Sequence, residues 1–586
     1  MPKKDGEKME SNATQINEQY KQGLQYHKSM HFTDNWPEYE RYKASDQWPA
    51  ATEATRNLPR PVFNIIDYIE NHKVASVMNE NIKMNFTAQE LPQQTDENSN
   101  PDPNDPLQKA VEGAEKFSKN ADVTWEDLKQ DEINEEVLES ASNLGTGIAH
   151  YYMDNDVVTG IQTKAIGAMR GEALDPMNVF FGNPQNKDVQ KQPYIIISSR
   201  EMVQTVKEEA KKKHGPKEQI ELITGDKETK DEGYDAAQHE LKEGDKCTIL
   251  IRYTKKDGYI YLEKCTITGV TYAPEVNTRR KLYPVAVMRW KNRKKCIYGI
   301  GDTEGLIPNQ KGINMLLAMM LLSAQNTAFP KIIAKYGSLK QTITNQIGEI
   351  LTDMLPGAGD NIKFMQPGNF SGETFGLVDK FIDLTKQMSA AQDAATGDID
   401  TSNNTAAGIA MLQKAAGVPL ESIKKRFYRF CEDVGLIWEE FYKVNYDLPR
   451  PVRFKDENGK EYPDVFQGSE YSDIGMSLKI DVGPSTQYSE ALVMESLNMF
   501  YEKQEMTTEE YLELAPKNVV PFKDRFLKMR QARMQEQQPV NGENQMEQFM
   551  SQRTPEEIEL IQNDPELQEQ IINTFGGVQN EVSNMR

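Results

Sequence analysis

The chain has 586 residues, 68 of them basic and 90 acidic, for a net charge of −22 with the histidines neutral, and 38% of it is apolar. At about 150 residues per domain this length predicts about four compact units with sizeable cores. The acidic surplus excludes a protein that clamps nucleic acid through a Lys and Arg excess and disfavours an anionic membrane surface, and four cysteines in so long a chain give no disulfide framework.

Residues 1–60 are polar with scattered aromatics (Tyr20, Tyr26, Phe32, Trp36, Tyr39, Trp48), and read as short helices docked on a larger body. No apolar core follows the first residues, so no signal peptide is expected. After Pro59-Arg60-Pro61, helical spacing of Ile65, Ile66, Ile69, Val74, Val77 and Met78 marks a helix within residues 57–86. Residues 89–106, with four prolines, read as a linker. Thr124-Trp125-Glu126-Asp127 resembles a helix N-cap, and that helix is expected to stop at Gly145. Residues 148–290 turn to strands, with Asp257-Gly258 as a two-residue hairpin turn. The charged run 207–246 reads as a solvated helical insertion. Residues 303–446 are mostly helical. The most apolar stretch, 313–322, is about half of what a membrane span needs. Strands return around a second turn signal, Asn458-Gly459. From residue 485 onward the tail is helical, with start signals at Thr507/Glu510 and at Thr554-Pro555-Glu556-Glu557.

Motifs for chemistry are missing. No His pair is spaced for a zinc helix, no two cysteines lie at C-x-x-C spacing, and there is no phosphate-cradling loop, dinucleotide fingerprint or nucleophile elbow. No enzymatic activity, metal or cofactor is expected. The informative features are architectural. Ile423, Phe427, Phe430, Val434, Ile437 and Phe441 step by alternating fours and threes, an a/d seam on a helix over residues 420–442, about 35 Å long. That seam suits either a core helix or one that also packs against a neighbouring subunit. A second stripe, Phe375, Val378, Phe381, Ile382, Thr385 and Met388, lies on a helix over 374–395. Between the two helices, residues 396–405 form a polar, acidic loop. Two basic clusters, Arg279-Arg280-Lys281 and Lys291, Arg293, Lys294, Lys295, read as solvated strand ends or as phosphate contacts.

The order of four stretches resembles the portal proteins of tailed bacteriophages, closest to the short-tailed type. They are Asn57-Leu58-Pro59-Arg60-Pro61-Val62-Phe63-Asn64-Ile65-Ile66, and Asp175-Pro176-Met177-Asn178-Val179-Phe180-Phe181. Next comes Tyr283-Pro284-Val285 with Tyr298-Gly299-Ile300-Gly301, Asn309-Gln310-Lys311-Gly312-Ile313-Asn314 and Phe329-Pro330-Lys331. The last is Thr405-Ala406-Ala407-Gly408-Ile409-Ala410.

The resemblance implies an α+β, mainly α, portal fold with wing, stem, clip and crown, assembling as a dodecameric ring. By position, residues 1–56 would be an N-terminal arm and 57–302 the wing, with 207–246 inserted in it. Residues 303–328 and 371–395 would be the stem helices, flanking a clip at 329–370. Residues 396–405 would be a tunnel loop, with Asp398, Asp400, Thr401, Ser402, Asn403 and Asn404 facing DNA. Residues 406–484 would hold a long kinked wing helix and returning strands, and 485–586 a helical crown. Subunits would meet at Ile423, Phe427, Phe430, Val434, Ile437 and Phe441. The clip, through Lys331, Tyr336, Lys340, Lys363 and Phe364, would bind the large terminase and then head–tail adaptor proteins. The other implied partners are copies of the chain itself, the major capsid and scaffolding proteins, and the double-stranded DNA in the channel, with no membrane. The implied location is the capsid vertex, reached from the host cytoplasm. A different class fits the same architecture: a multidomain helical scaffold or adaptor without a channel.

Overall fold

A computed structural model describes residues 2–53, 55–56, 58–79, 82–88, 106–157, 167–213, 217–226, 246–328, 332–334, 362–364, 373–389, 418–455, 461–482, 497–503, 506–507 and 511. The fold is mixed α/β, with helices supplying more residues than strands. Two units divide at Ser485 and Thr486. In the second, residues 497–502 are helical, and Tyr511 Oη donates to Asn498 Oδ1 at 2.5 Å. The start signals at Glu510 and 554–557, the linker 89–105 and the turn at 458–459 lie outside the described residues.

The first unit is built around one small sheet. Strands β2 (Thr146–Asp154) and β3 (Ala168–Leu174) pair antiparallel, and β9 (Val285–Arg289) pairs on the other side of β2. Side chains alternate across a strand, so this sheet separates two cores. Ala149, Tyr151, Ala286 and Met288 enter one, while Ile148, Val285 and Val287 enter the other.

The first core is closed by helices α4 (Pro106–Leu128), α5 (Gln130–Leu144) and α10 (Glu421–Asn445) and by strands β1 (Ile82–Ala88) and β14 (Met476–Val482). Residues 82–88 are a strand paired with one nearly 400 residues away, from Ile82↔Val482 to Ala88↔Met476. The helical pattern ends with α3 (Ile65–Met78), because Ile82, Met84, Phe86 and Ala88 alternate with exposed residues. The expected N-cap at Thr124 is a correction. Thr124 is buried inside α4 and accepts a 2.7 Å hydrogen bond from Tyr442 Oη. The chain turns instead at Lys129, at φ 51°. Helix α5 does stop at Gly145, whose φ of 92° suits glycine and whose N–H bonds Ala141 O at 2.9 Å.

The second core is walled by an antiparallel meander of β4 (Val179–Phe181), β5 (Tyr194–Met202), β6 (Lys246–Lys256), β7 (Tyr259–Thr266) and β8 (Thr271–Asn277). The Asp257-Gly258 turn joins β6 to β7 with both residues left-handed, at φ 50° and 82°. Ile195 and Ile197 face this core, while Ile196, Leu250 and Cys265 face Ala13, Ile16 and Tyr20 of α1 (Pro2–Ser29). The N-terminal segment is therefore docked, as expected, but as one long helix followed by α2 (Phe32–Lys43). Within residues 207–246, part of the charged run belongs to α6 (Val203–Lys212) and α7 (Lys217–Glu221). It is more than a solvated insertion, because Val206, Ala210, Ile220 and Ile223 close a small core against Cys247 and Tyr272.

The arm is locked by aromatic packing. Phe32 stacks on Trp36 with ring centroids 4.4 Å apart, and both meet Tyr298. His27 is buried among these rings with Nε2 2.7 Å from Tyr298 Oη. Tyr298 spends its proton on Val179 O at 2.8 Å, so His27 must donate from Nε2. Burial pushes its pKa from 6.5 down to about 4. The folded state thus binds fewer protons than the unfolded chain between these values, and stability is complete above pH 6.5 and falls as the pH drops toward 4. We expect His27 to contribute a loss of about 3 kcal/mol over that window, read as the difference between the parent and His27→Gln in thermal unfolding.

Candidate functional site

The seam of α10 is consumed by its own chain. Ile423, Phe427, Phe430, Val434, Ile437 and Phe441 are 0–5% exposed and pack in the first core with Tyr151, Met84 and Trp290. They are covered by residues of their own chain, as the core-helix alternative describes. Asp398, Asp400, Thr401, Ser402, Asn403 and Asn404 lie outside the described residues, as do Lys331, Tyr336, Lys340 and the motif 405–410. Lys363 and Phe364 fall in β11 (Ile362–Phe364), which pairs antiparallel with β10 (Ile332–Ala334) in the register Ile332↔Phe364 and Ile333↔Lys363.

These strands lie in sequence between two long helices, α8 (Thr303–Ala328) and α9 (Glu373–Met388). The helices run antiparallel. Asn309 Nδ2 donates to Thr385 Oγ1 at 3.2 Å, and one turn along α8 a Cβ on Gly312 would touch Phe381 at 3.6 Å. The result is a helix–strand–strand–helix excursion whose two helical ends meet the body.

The root of α8 is densely bonded. Its first turn follows Tyr298-Gly299-Ile300-Gly301, which passes directly against the end of α5. A Cβ on Gly299 would lie 2.1 Å from Gly145 O, and one on Gly301 2.3 Å from Asn143 O. Only glycine fits such an approach to backbone. Asp302 N–H then bonds Ser142 O at 2.8 Å. The Asp302 carboxylate is buried between Lys73 Nζ and Lys291 Nζ, each at 2.5 Å. Burial alone would raise its pKa, but the two ammoniums outweigh burial and hold it below the usual range. Farther along, Gln310 accepts from Ile65 N–H at 3.0 Å and donates to Phe63 O at 2.7 Å, while Asn314 Nδ2 donates to Gln47 Oε1 at 2.6 Å. Both amides are buried.

Beyond Asn314 the helix changes character. Met315, Leu316, Leu317, Ala318, Met319, Met320, Leu321 and Leu322 include no buried residue, and Met315, Met319 and Leu321 are 57%, 48% and 45% exposed. On α9, Val378 and Thr385 are buried, while Leu377, Leu384 and Met388 are exposed. These residues leave apolar side chains exposed on both helices of the pair. Sequence reading weighed residues 313–322 only as a membrane span and a stem helix, and did not single out their outer face. Among the described residues no helix is long and apolar enough to cross a membrane.

The basic clusters are mostly exposed, but three of their members are engaged within the chain. Arg280 is buried with its guanidinium 4.0 Å from the Phe441 ring centre, Lys291 pairs with Asp302, and Arg293 pairs with Glu304 at 3.2 Å. Lys294 and Lys295 are exposed. Among the described residues no group of three or more His, Cys, Asp or Glu side chains could hold a metal ion.

No family model matches the chain, and no curated protein matches it.

The root geometry gives a direct test. Gly301→Ala would force a methyl into Asn143 O and is expected to cost on the order of 2 kcal/mol in urea unfolding, whereas Gly305→Ala, with open space around its Cβ, is expected to be neutral or slightly stabilising.

Proposed function

We propose that the chain is a portal subunit of the tailed-bacteriophage kind, a structural protein that forms a ring around a channel for double-stranded DNA. One observation carries this reading. Residues 315–322 of α8 are an uninterrupted apolar run without a buried member, on an antiparallel helix pair rooted in a folded body. Burying a Leu or Met side chain is worth about 2 kcal/mol, so such a face has a large incentive to associate. In a closed ring of head-to-tail contacts each copy's face is covered by a different face of its neighbour, and no such face remains exposed.

On this reading residues 329–370 are the docking point for the large terminase and then for head–tail adaptor proteins, and residues 396–405 line the channel. The net charge of −22 fits a conduit along which phosphates must slide without being held. The chain carries no catalytic role here.

Negative-stain microscopy and native mass spectrometry of the purified protein are expected to show rings with a central hole. Met315→Glu with Met319→Glu is expected to leave circular dichroism unchanged and give monomers. A monomeric parent protein would overturn the reading, and rings from the double variant would overturn the assignment of this face.

The acidic loop supplies a second test. Asp398→Lys with Asp400→Lys adds positive charge where phosphates would pass, and is expected to slow DNA packaging at low salt, with the effect shrinking as salt rises. Normal packaging at low salt would remove the loop from the channel.

A further inference from the structure

The root of α8 contains a carboxyl group that the reading above does not use. Glu70, on α3, is 1% exposed. Its Oε1 lies in hydrogen-bond contact with Thr303 Oγ1, and its Oε2 has no hydrogen-bond partner. Thr303 Oγ1 is also 2.9 Å from Asn143 Oδ1. A hydroxyl has one proton and here faces two acceptor oxygens. Both contacts are satisfied if Glu70 carries the missing proton. Its O–H then donates to Thr303 Oγ1, whose own proton goes to Asn143 Oδ1, and the chain runs in one direction from α3 through α8 to the end of α5.

We propose that Glu70 is a proton-dependent latch at the base of the long helix, closed as a neutral acid and opened when its proton is lost to solvent. Loss of the proton leaves Thr303 one donor for two acceptors. It also adds a second buried negative charge near Asp302, which already repels it. The surroundings agree. Burial is the chief influence on Glu70 and pushes its pKa to about 7, with Asp302 and Asp67 acting in the same direction and the Thr303 contact and Lys43 opposing. Asn143, Lys43 and Asp67 also line a cleft of about 530 Å³ between α2, α3 and α5 that has Glu40, Glu136 and Glu139 in its wall, so solvent lies next to the network. The inference stands whether or not α8 lines a channel.

The sign follows from linkage. A carboxyl raised in the folded state contributes stability that is complete below its unfolded pKa, near 4.5, and that is lost as the pH rises toward 7. The contribution of Glu70 to the folding equilibrium should weaken up to tenfold per pH unit across this range, opposite in sign to that of His27. The experiment compares the full-length parent, Glu70→Gln and Glu40→Gln at pH 5.5 and pH 8, because Glu40 is also raised to about 7 by burial and by Asp175. Two readouts are used: the infrared band of protonated carboxyl groups, and hydrogen exchange of the first turn of α8 corrected for intrinsic rate. In the parent and in Glu70→Gln the band from Glu40 remains, so the difference between the two isolates Glu70. We expect Glu70→Gln to lack one protonated carboxyl at pH 5.5, and to keep the pH 8 protection of Gly305 and Leu306 that the parent loses. An unchanged infrared band in Glu70→Gln, or equal protection of the parent at both pH values, would overturn the latch.

Discussion

The carboxylate of Asp302 is the point from which the long helix pair is held. It joins α3, through Lys73, to the segment after β9, through Lys291, and its own N–H ties it to Ser142 at the end of α5. Removing one member of a buried charge pair costs about 3–5 kcal/mol, because the partner is left charged and dry. Three separate elements thus fix the direction in which α8 leaves the body. The buried amides of Gln310 and Asn314 extend this control for three more turns. Only because the root is so constrained can the outer half of the helix remain defined without a core of its own around it.

Much of this was legible where a local rule decides. Asp257-Gly258 needed two left-handed residues, and Gly145 needed one, so these stops were readable from two or three letters. The strand-rich region, the helical middle and the returning strands followed from a change in period. What failed was whatever depends on a distant partner. Residues 82–88 carry a clear alternation, but their partner strand begins at Met476. Thr124 satisfies every local condition for a cap, yet its hydroxyl was claimed by Tyr442 from another helix. The two glycines before α8 were visible as a motif, while the reason for them, the backbone of residues 143–145, was not.

Charge was similarly readable as a count and unreadable as an arrangement. Arg280 and Lys281 look alike in a basic run. In the fold the Arg280 guanidinium sits over the Phe441 ring, whereas Lys281 is exposed and uses its backbone N–H to bind Glu440 at 2.9 Å. Lys291 and Arg293 are spent on Asp302 and Glu304, partners that follow the cluster by about ten residues. A basic run near an acidic helix start is thus better read as an anchor for that start than as a binding site for an external phosphate.

The contrast between α10 and α8 carries the larger lesson about apolar patterns. The seam of α10 is the more regular, stepping by fours and threes over six large residues, and regularity suggested a partner helix on another subunit. Regularity, however, measures only how well one stripe stays on one side of a helix. A helix clamped between two strand pairs and two other helices needs such a stripe just as a coiled coil does, and α10 is clamped in this way. The apolar run of α8 is less regular and goes round the helix, so it has no single inward face. An element that is greasy on all sides is usually surrounded, and among the described residues α8 has fully buried side chains only up to Asn314. Among the described residues, those whose apolar character exceeds what their own chain covers lie on the less patterned of the two helices.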